Sequence, residues 1–255
     1  MKKGSSKKAG KKVVKQRNTH AWRLCPPGQH WRRTHALTVP PSKKNPKGGV
    51  TTRHGHCVFN PTHKDQLYPD EIQEIGTRNF SKVEEKPCPS DLGFKGKKKG
   101  NRYDDLIAGW TKYWNEVFKP DSDLDPNIVK ALIATESGFN SGILANKKNK
   151  NSARGLMQIT NDTRKILGDE NGELKDHYLT LTRDELNDPS TNICAGIRWL
   201  FRKREVASSL LKRPATWEET VAEFKGTRKA TKARASKLME EFNKKLEVLK
   251  KCKTS

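Results

Sequence analysis

The sequence predicts a mainly α fold preceded by an irregular segment rich in His and Cys, and three observations carry that expectation. After residue 103, apolar residues recur at helical spacing in several stretches, most of them opened by a capping residue or a proline. Between residues 20 and 89, by contrast, six of the seven His and three of the five Cys lie among many Pro and Gly. Hydrophobic residues make up 32% of the 255, and the mean hydropathy is −0.93. That composition suits one compact core with poorly packed flanks better than two full cores.

Residues 1–17 hold eight Lys or Arg and no acidic residue, with Gly and Ser between them, which reads as a disordered basic arm. The next segment contains two Cys-to-His steps, Cys25-Pro26-Pro27-Gly28-Gln29-His30 and Cys57-Val58-Phe59-Asn60-Pro61-Thr62-His63. Two thiolates and two imidazoles would complete a tetrahedral zinc site at Cys25, His30, Cys57 and His63, with His35, His54, His56 and Cys88 as competing ligands. The other reading is an irregular His-rich loop region without metal. Five irregularly spaced Cys do not read as a disulfide framework. Trp22, Trp31 and Phe59, interleaved with Arg23, Arg32 and Arg33, offer a surface for stacking on sugars or bases.

Residues 93–102, Gly-Phe-Lys-Gly-Lys-Lys-Lys-Gly-Asn-Arg, read as a flexible basic linker. Leu106, Ile107, Trp110, Trp114, Val117 and Phe118 then share one face of a helix over about residues 104–118, stopped by Pro120. Asp125 as N-cap and Pro126 at the first helical position open the next helix, which should end near Gly138. A short helix over residues 161–167 and an acidic, turn-rich loop over 168–178 follow. Asp188-Pro189 introduces a helix through Trp199 to about Glu205, in which Cys194 reads as a buried thiol beside Ala195 and Gly196. Thr216-Trp217-Glu218-Glu219 is a capping box for a helix carrying Phe224. Ala235, Leu238, Met239, Phe242, Leu246 and Leu249 make the stripe of a last amphipathic helix. The expected organisation is therefore a basic arm over residues 1–20, a His/Cys-rich segment over 21–92, a linker over 93–102, a helical domain over 103–226 and an amphipathic helix over 227–255.

In the helix after Asp125, four residues beyond the apolar Leu132 stands Glu136, on the core-facing stripe, where lost solvation favours the protonated carboxyl that a general acid needs. The competing reading is a Glu rotated to the helix edge and solvated. Its neighbours add a pattern. Glu136-Ser137-Gly138-Phe139-Asn140, then Gly155-Leu156-Met157-Gln158-Ile159, then Asn192-Ile193-Cys194-Ala195-Gly196-Ile197-Arg198-Trp199-Leu200 together resemble the soluble lytic transglycosylase family, whose domain is lysozyme-like. The resemblance spans roughly residues 103–226. It implies Glu136 as catalytic acid and base, no cofactor for catalysis, and Ser137, Met157, Gln158 and Phe224 as substrate-binding candidates. Two departures stand out. Ahead of the Gly-Leu-Met-Gln block the family usually has a Ser, whereas here residues 146–151 form a Lys/Asn run with Ser152 the nearest hydroxyl. Where the family usually shows Ala-Tyr-Asn-x-Gly, this chain reads Ala222-Glu223-Phe224-Lys225-Gly226, without the phenol.

The function so implied is cleavage of the β-1,4 bond between N-acetylmuramic acid and N-acetylglucosamine in peptidoglycan, by one Glu and with a 1,6-anhydro product. A hydrolytic muramidase is the close alternative. A basic nucleic-acid or wall-binding protein on an inactive lysozyme-like scaffold is the competing class. A net charge of +23 directs the chain to polyanions, anionic wall polymers among them. No apolar run approaches the roughly 20 residues of a membrane span, and no secretory signal is legible. The expectation is a soluble protein that reaches the wall, in the periplasm or outside the cell, by a route other than general export. A secretion apparatus or a phage particle would serve as carrier, and an immunity protein is a further candidate partner.

Overall fold

The computed structural model describes residues 20–96 and 99–251, so the basic arm lies outside the described residues apart from His20. Strands β1 (Gln29–Arg32), β2 (His35–Val39), β3 (Gly49–Arg53) and β4 (His56–Phe59) form two antiparallel pairs, β1 with β4 and β2 with β3. The β2/β3 hairpin has no core of its own, and every residue of β3 is exposed. After β5 (Gln66–Leu67) comes α1 (Pro69–Asn79), then a 3-10 turn over Phe80–Lys82. The helical part follows as α2 (Asp104–Phe118), α3 (Pro126–Ser137), α4 (Asn161–Gly168), β6 (Tyr178–Leu179), α5 (Pro189–Leu211), α6 (Trp217–Phe224) and α7 (Lys232–Lys251). Helices dominate and strands are short, as the apolar periodicity predicts.

The zinc expectation is corrected. Cys25 and Cys57 are joined in a disulfide, which leaves no thiolate to ligate a metal. Pairing of β1 with β4 sets Trp31 opposite Cys57, and the Pro-Pro-Gly turn before β1 brings Cys25 back to it. His30 instead hydrogen-bonds through Nδ1 to Asn60 Oδ1 at 2.7 Å and stacks on Tyr68, while the His63 ring lies edge-on to Phe59. Among the described residues no group of three or more His, Cys, Asp or Glu could hold a metal ion. The view that the cysteines form no disulfide framework is corrected with it, since Cys88 is disulfide-bonded as well. Cys194 is the free, buried thiol expected.

What holds the first segment is a buried ion cluster. Arg23, its side chain 4% exposed, donates to Glu71 Oε1 at 2.6 Å, to Asp65 Oδ1 at 2.5 Å, and to the carbonyls of Gln29 and Gln66. Glu71, fully buried on α1, also accepts from the backbone N–H groups of Leu24 and Trp31. The chain start, β1, β5 and α1 are thereby tied to one another. Two features weld this unit to the helices. β5 pairs in parallel with β6, and Phe80 packs so closely on α2 that a Cβ at Gly109 would stand 2.2 Å from its ring.

The core sits between α2, α3 and α5. The Trp110 and Trp114 indoles are fully buried and donate to Ser190 Oγ and the Cys194 carbonyl of α5. On α3, Val129, Leu132 and Ile133 face inward, and α7 covers the same helix with Phe242, Leu246 and Leu249. Lys130 of α3 is buried too. Its ammonium reaches Asp104 Oδ1, the Cys88 carbonyl and Asn101 Oδ1 within 2.9 Å, fastening the chain before and after the expected linker to the helix.

Arg23→Met should lower the unfolding free energy by about 3–5 kcal/mol in urea titrations, because Glu71 then stays buried without its counter-charge. Asp65 gives a pH test. Burial pushes its carboxyl up, but the hydrogen bond with His177 and the Arg23 guanidinium outweigh this and hold it at about 2. An unfolded Asp titrates near about 4, so the stabilisation is present above that pH and is lost as pH falls toward 2. Urea midpoints of the protein and of Asp65→Asn should therefore differ near neutrality and converge on acidification; a gap independent of pH would contradict this.

Candidate active site

α3 is built to present its last turn. The Asp125 carboxylate accepts from the Asn127 N–H at 2.8 Å, Pro126 fits the first turn, and Gly138 ends the helix in the left-handed region at φ 55°. A Cβ at Gly138 would stand 2.7 Å from the Phe94 ring, which itself packs edge-on against Phe139. Glu136 lies just before this stop, with its side chain 20% exposed. It is therefore at the edge of the apolar stripe, and its carboxylate meets an ammonium: Lys225 Nζ donates to Glu136 Oε1 at 2.6 Å and to Thr135 Oγ1 at 3.0 Å.

Opposite in the sequence pattern, the Gly155-to-Ile159 block forms a tight turn closed by bridges of Arg154 with Leu144 and Ile159. Gly155 has φ 73°, and a Cβ there would collide with Asn192 Nδ2 at 2.2 Å. Asn192 of α5 is the buckle of this turn. Its Oδ1 accepts from the Met157 N–H at 2.8 Å, and its Nδ2 donates to the carbonyls of Arg154 and Leu186. This explains in physical terms why the second and third sequence blocks occur together.

The predicted contact residues separate. Ser137 is buried and its hydroxyl donates to the Ile133 carbonyl, so it serves the helix. Met157 is fully buried, pressed on Gly196 so that a Cβ there would stand 2.2 Å from its sulfur; its side chain belongs to the core. Gln158 is half-buried, at φ 48°, with Nε2 donating to the Gly155 carbonyl at 2.8 Å. Phe224 is half-buried against the core. Ser152 both donates to the Asn146 carbonyl and accepts from its N–H, bracing the Lys/Asn loop. The acidic side chains in this part of the chain that could serve as a second catalyst have other roles or face solvent: Asp188 caps α5, and Asp184 is 97% exposed, 3.8 Å from Arg154. Asp162 lies exposed in the first turn of α4.

Sequence reading missed Lys225. The signal was present in the departure Glu223-Phe224-Lys225-Gly226, where attention falls on the absent phenol. α6 opens with the Thr216–Glu219 capping box, packs through Val221 and Thr220, and ends at Lys225, whose side chain is 4% exposed. Glu223, two residues before, is engaged by Lys203 and Arg228. Two cavities of about 690 and 740 Å³ lie elsewhere, around Glu116 and around Asp65 with His177, and Glu136 lines neither.

No curated protein and no solved structure matches the chain. The family model described as the transglycosylase SLT domain matches residues 115–242, half of the chain, from within α2 to within α7. The match includes Glu136, the Asn192-buckled turn and Lys225, and extends past residue 226 into the last helix. The chain belongs to the transglycosylase SLT family, and its helical part is a lysozyme-like domain of that family.

Proposed function

We propose that this protein is a lytic transglycosylase that cleaves the N-acetylmuramic acid–N-acetylglucosamine β-1,4 bond with Glu136 as its one acid and base. Membership of the family supports action on peptidoglycan in general. The observation that carries the finer reading is a single carboxylate at the half-open end of α3, one oxygen held by Lys225 and the other making no hydrogen bond among the described residues. In the first half-reaction Glu136 gives a proton to the glycosidic oxygen as the bond from the muramic C1 breaks. In the second, the same carboxylate takes the proton from the C6 hydroxyl while that oxygen bonds to C1. The 1,6-anhydro ring closes without water.

Hydrolysis by the two-carboxylate scheme needs a second acid across the scissile bond. Asp188 is engaged in capping and Asp184 faces solvent, so the arrangement favours ring closure. Gln158 and Phe224, half-buried near the ends of their elements, are the candidates to line the glycan cleft. The Cys25–Cys57 disulfide supports action outside the reducing cytoplasm, since such bonds persist in oxidising compartments. Among the described residues no helix is long and apolar enough to cross a membrane. A net charge of +23 suits adhesion to anionic wall polymers by contacts that salt screens over about 8 Å.

Glu136→Gln should abolish cleavage while leaving the fold intact, since positioned acid/base catalysis is worth at least about 10²-fold. Mass spectrometry of digested peptidoglycan should find anhydro ends; reducing ends, heavier by one water, would assign the protein as a muramidase instead. Deleting residues 1–17 should weaken sedimentation with whole sacculi at low salt and leave cleavage of a short soluble glycan nearly unchanged. Equal sedimentation of both forms would remove the arm from wall binding.

A further inference from the structure

Resting on the acid/base reading of Glu136, we propose that Lys225 is a positioning residue of the reaction, holding Oε1 and stabilising the charge that appears when Oε2 gives up its proton. The ammonium is fixed from two sides. The Thr135 hydroxyl donates to the Leu132 carbonyl at 3.0 Å, so toward Lys225 it presents lone pairs and accepts. The Lys225 backbone N–H closes α6 onto the Val221 carbonyl at 2.9 Å. Glu223, the nearest acidic residue along the chain, is tied to Lys203 and Arg228 and does not draw the ammonium away. A side chain 4% exposed and fastened in this way does not swing out with solvent motion.

The contact also has the right sense for the chemistry. When Glu136 carries its proton on Oε2, Oε1 is a carbonyl oxygen that accepts from the Lys225 ammonium. Once the proton passes to the leaving oxygen, the same contact joins an ammonium to a carboxylate, so the attraction of two opposite charges is added to a hydrogen bond already made. The interaction thus grows as the bond breaks and eases as the carboxylate is protonated again, so it aids the first half-reaction, and with bond cleavage as the slow step it raises kcat rather than ground-state binding. In the second half-reaction the proton from the C6 hydroxyl returns to Oε2. Where the family resemblance leads one to expect a neutral phenol near the acid, this chain sets a charged donor.

The test is steady-state kinetics of Lys225→Met and Lys225→Gln on a soluble peptidoglycan fragment, with Glu136→Gln as reference and thermal melts to establish folding. Lys225→Met should lower kcat by ~10²-fold with KM within ~3-fold, as for loss of a preorganised donor to developing charge. Lys225→Gln puts a neutral donor on a somewhat shorter side chain, and should lose ~10-fold in kcat. If the Met variant does not fold, the Gln variant decides. A folded variant with unchanged or raised kcat, or with its loss confined to KM, overturns the proposal. The two readings fail differently: activity in Glu136→Gln removes the acid/base assignment itself, whereas a dead Glu136→Gln beside wild-type rates in both Lys225 variants removes the positioning role alone.

Discussion

A guanidinium taken out of water sets the terms for this structure. Arg23 is held among Glu71, Asp65 and two backbone carbonyls, and these partners come from α1, from the start of β5 and from β1. A buried charge is costly to place and more costly to leave unpaired. The pieces therefore assemble together or not at all. Since Asp65 also meets His177 and precedes the β5/β6 pairing, the same cluster fixes where the first segment sits on the helices. A region that lacks a core of its own borrows one, through Phe80 against α2 and α1 against α5.

Two polar clamps from late in the sequence hold the Gly155 turn and the last turn of α3. One is neutral: Asn192 fits its amide into the turn at Gly155 with all three bonds made in the buried interior. The other is charged, Lys225 on Glu136 and Thr135. Each clamp comes from a helix with a strong side-chain cap at its start, Asp188 for α5 and Thr216 for α6. The position of a side chain at the site is thus set by hydrogen bonds well away from it.

Much of this was legible. Caps and periodicity located α2, α3 and α6, and α7 is read from its stripe. The three blocks led to the family. Three things were not legible, for physical reasons. α1 lacks a side-chain cap and carries few apolar residues, Ile72 and Ile75 among Glu and Gln, because a buried ion pair holds it where a wide apolar face would otherwise be needed. Cys and His spacing suits zinc and disulfide alike, and only strand pairing brings Cys25 to Cys57. Lys225 contacts a residue 89 positions away, a distance over which no local pattern operates. Met157 is ambiguous for a related reason: an apolar residue in a motif suits a cleft or a core, and its side chain is fully buried where Gly196 leaves room for it.

The bond between Cys25 and Cys57 closes a loop over a sequence separation of 32, around both hairpins. By chain entropy, closing such a loop is worth about 3–4 kcal/mol, a sizeable fraction of a typical domain's whole stability. One sequence therefore has two stabilities. In surroundings that keep thiols reduced, the first segment depends on Arg23 and its partners and on its packing against the helices, and it opens more often. In oxidising surroundings the covalent closure is added, and the folded state deepens with no change elsewhere.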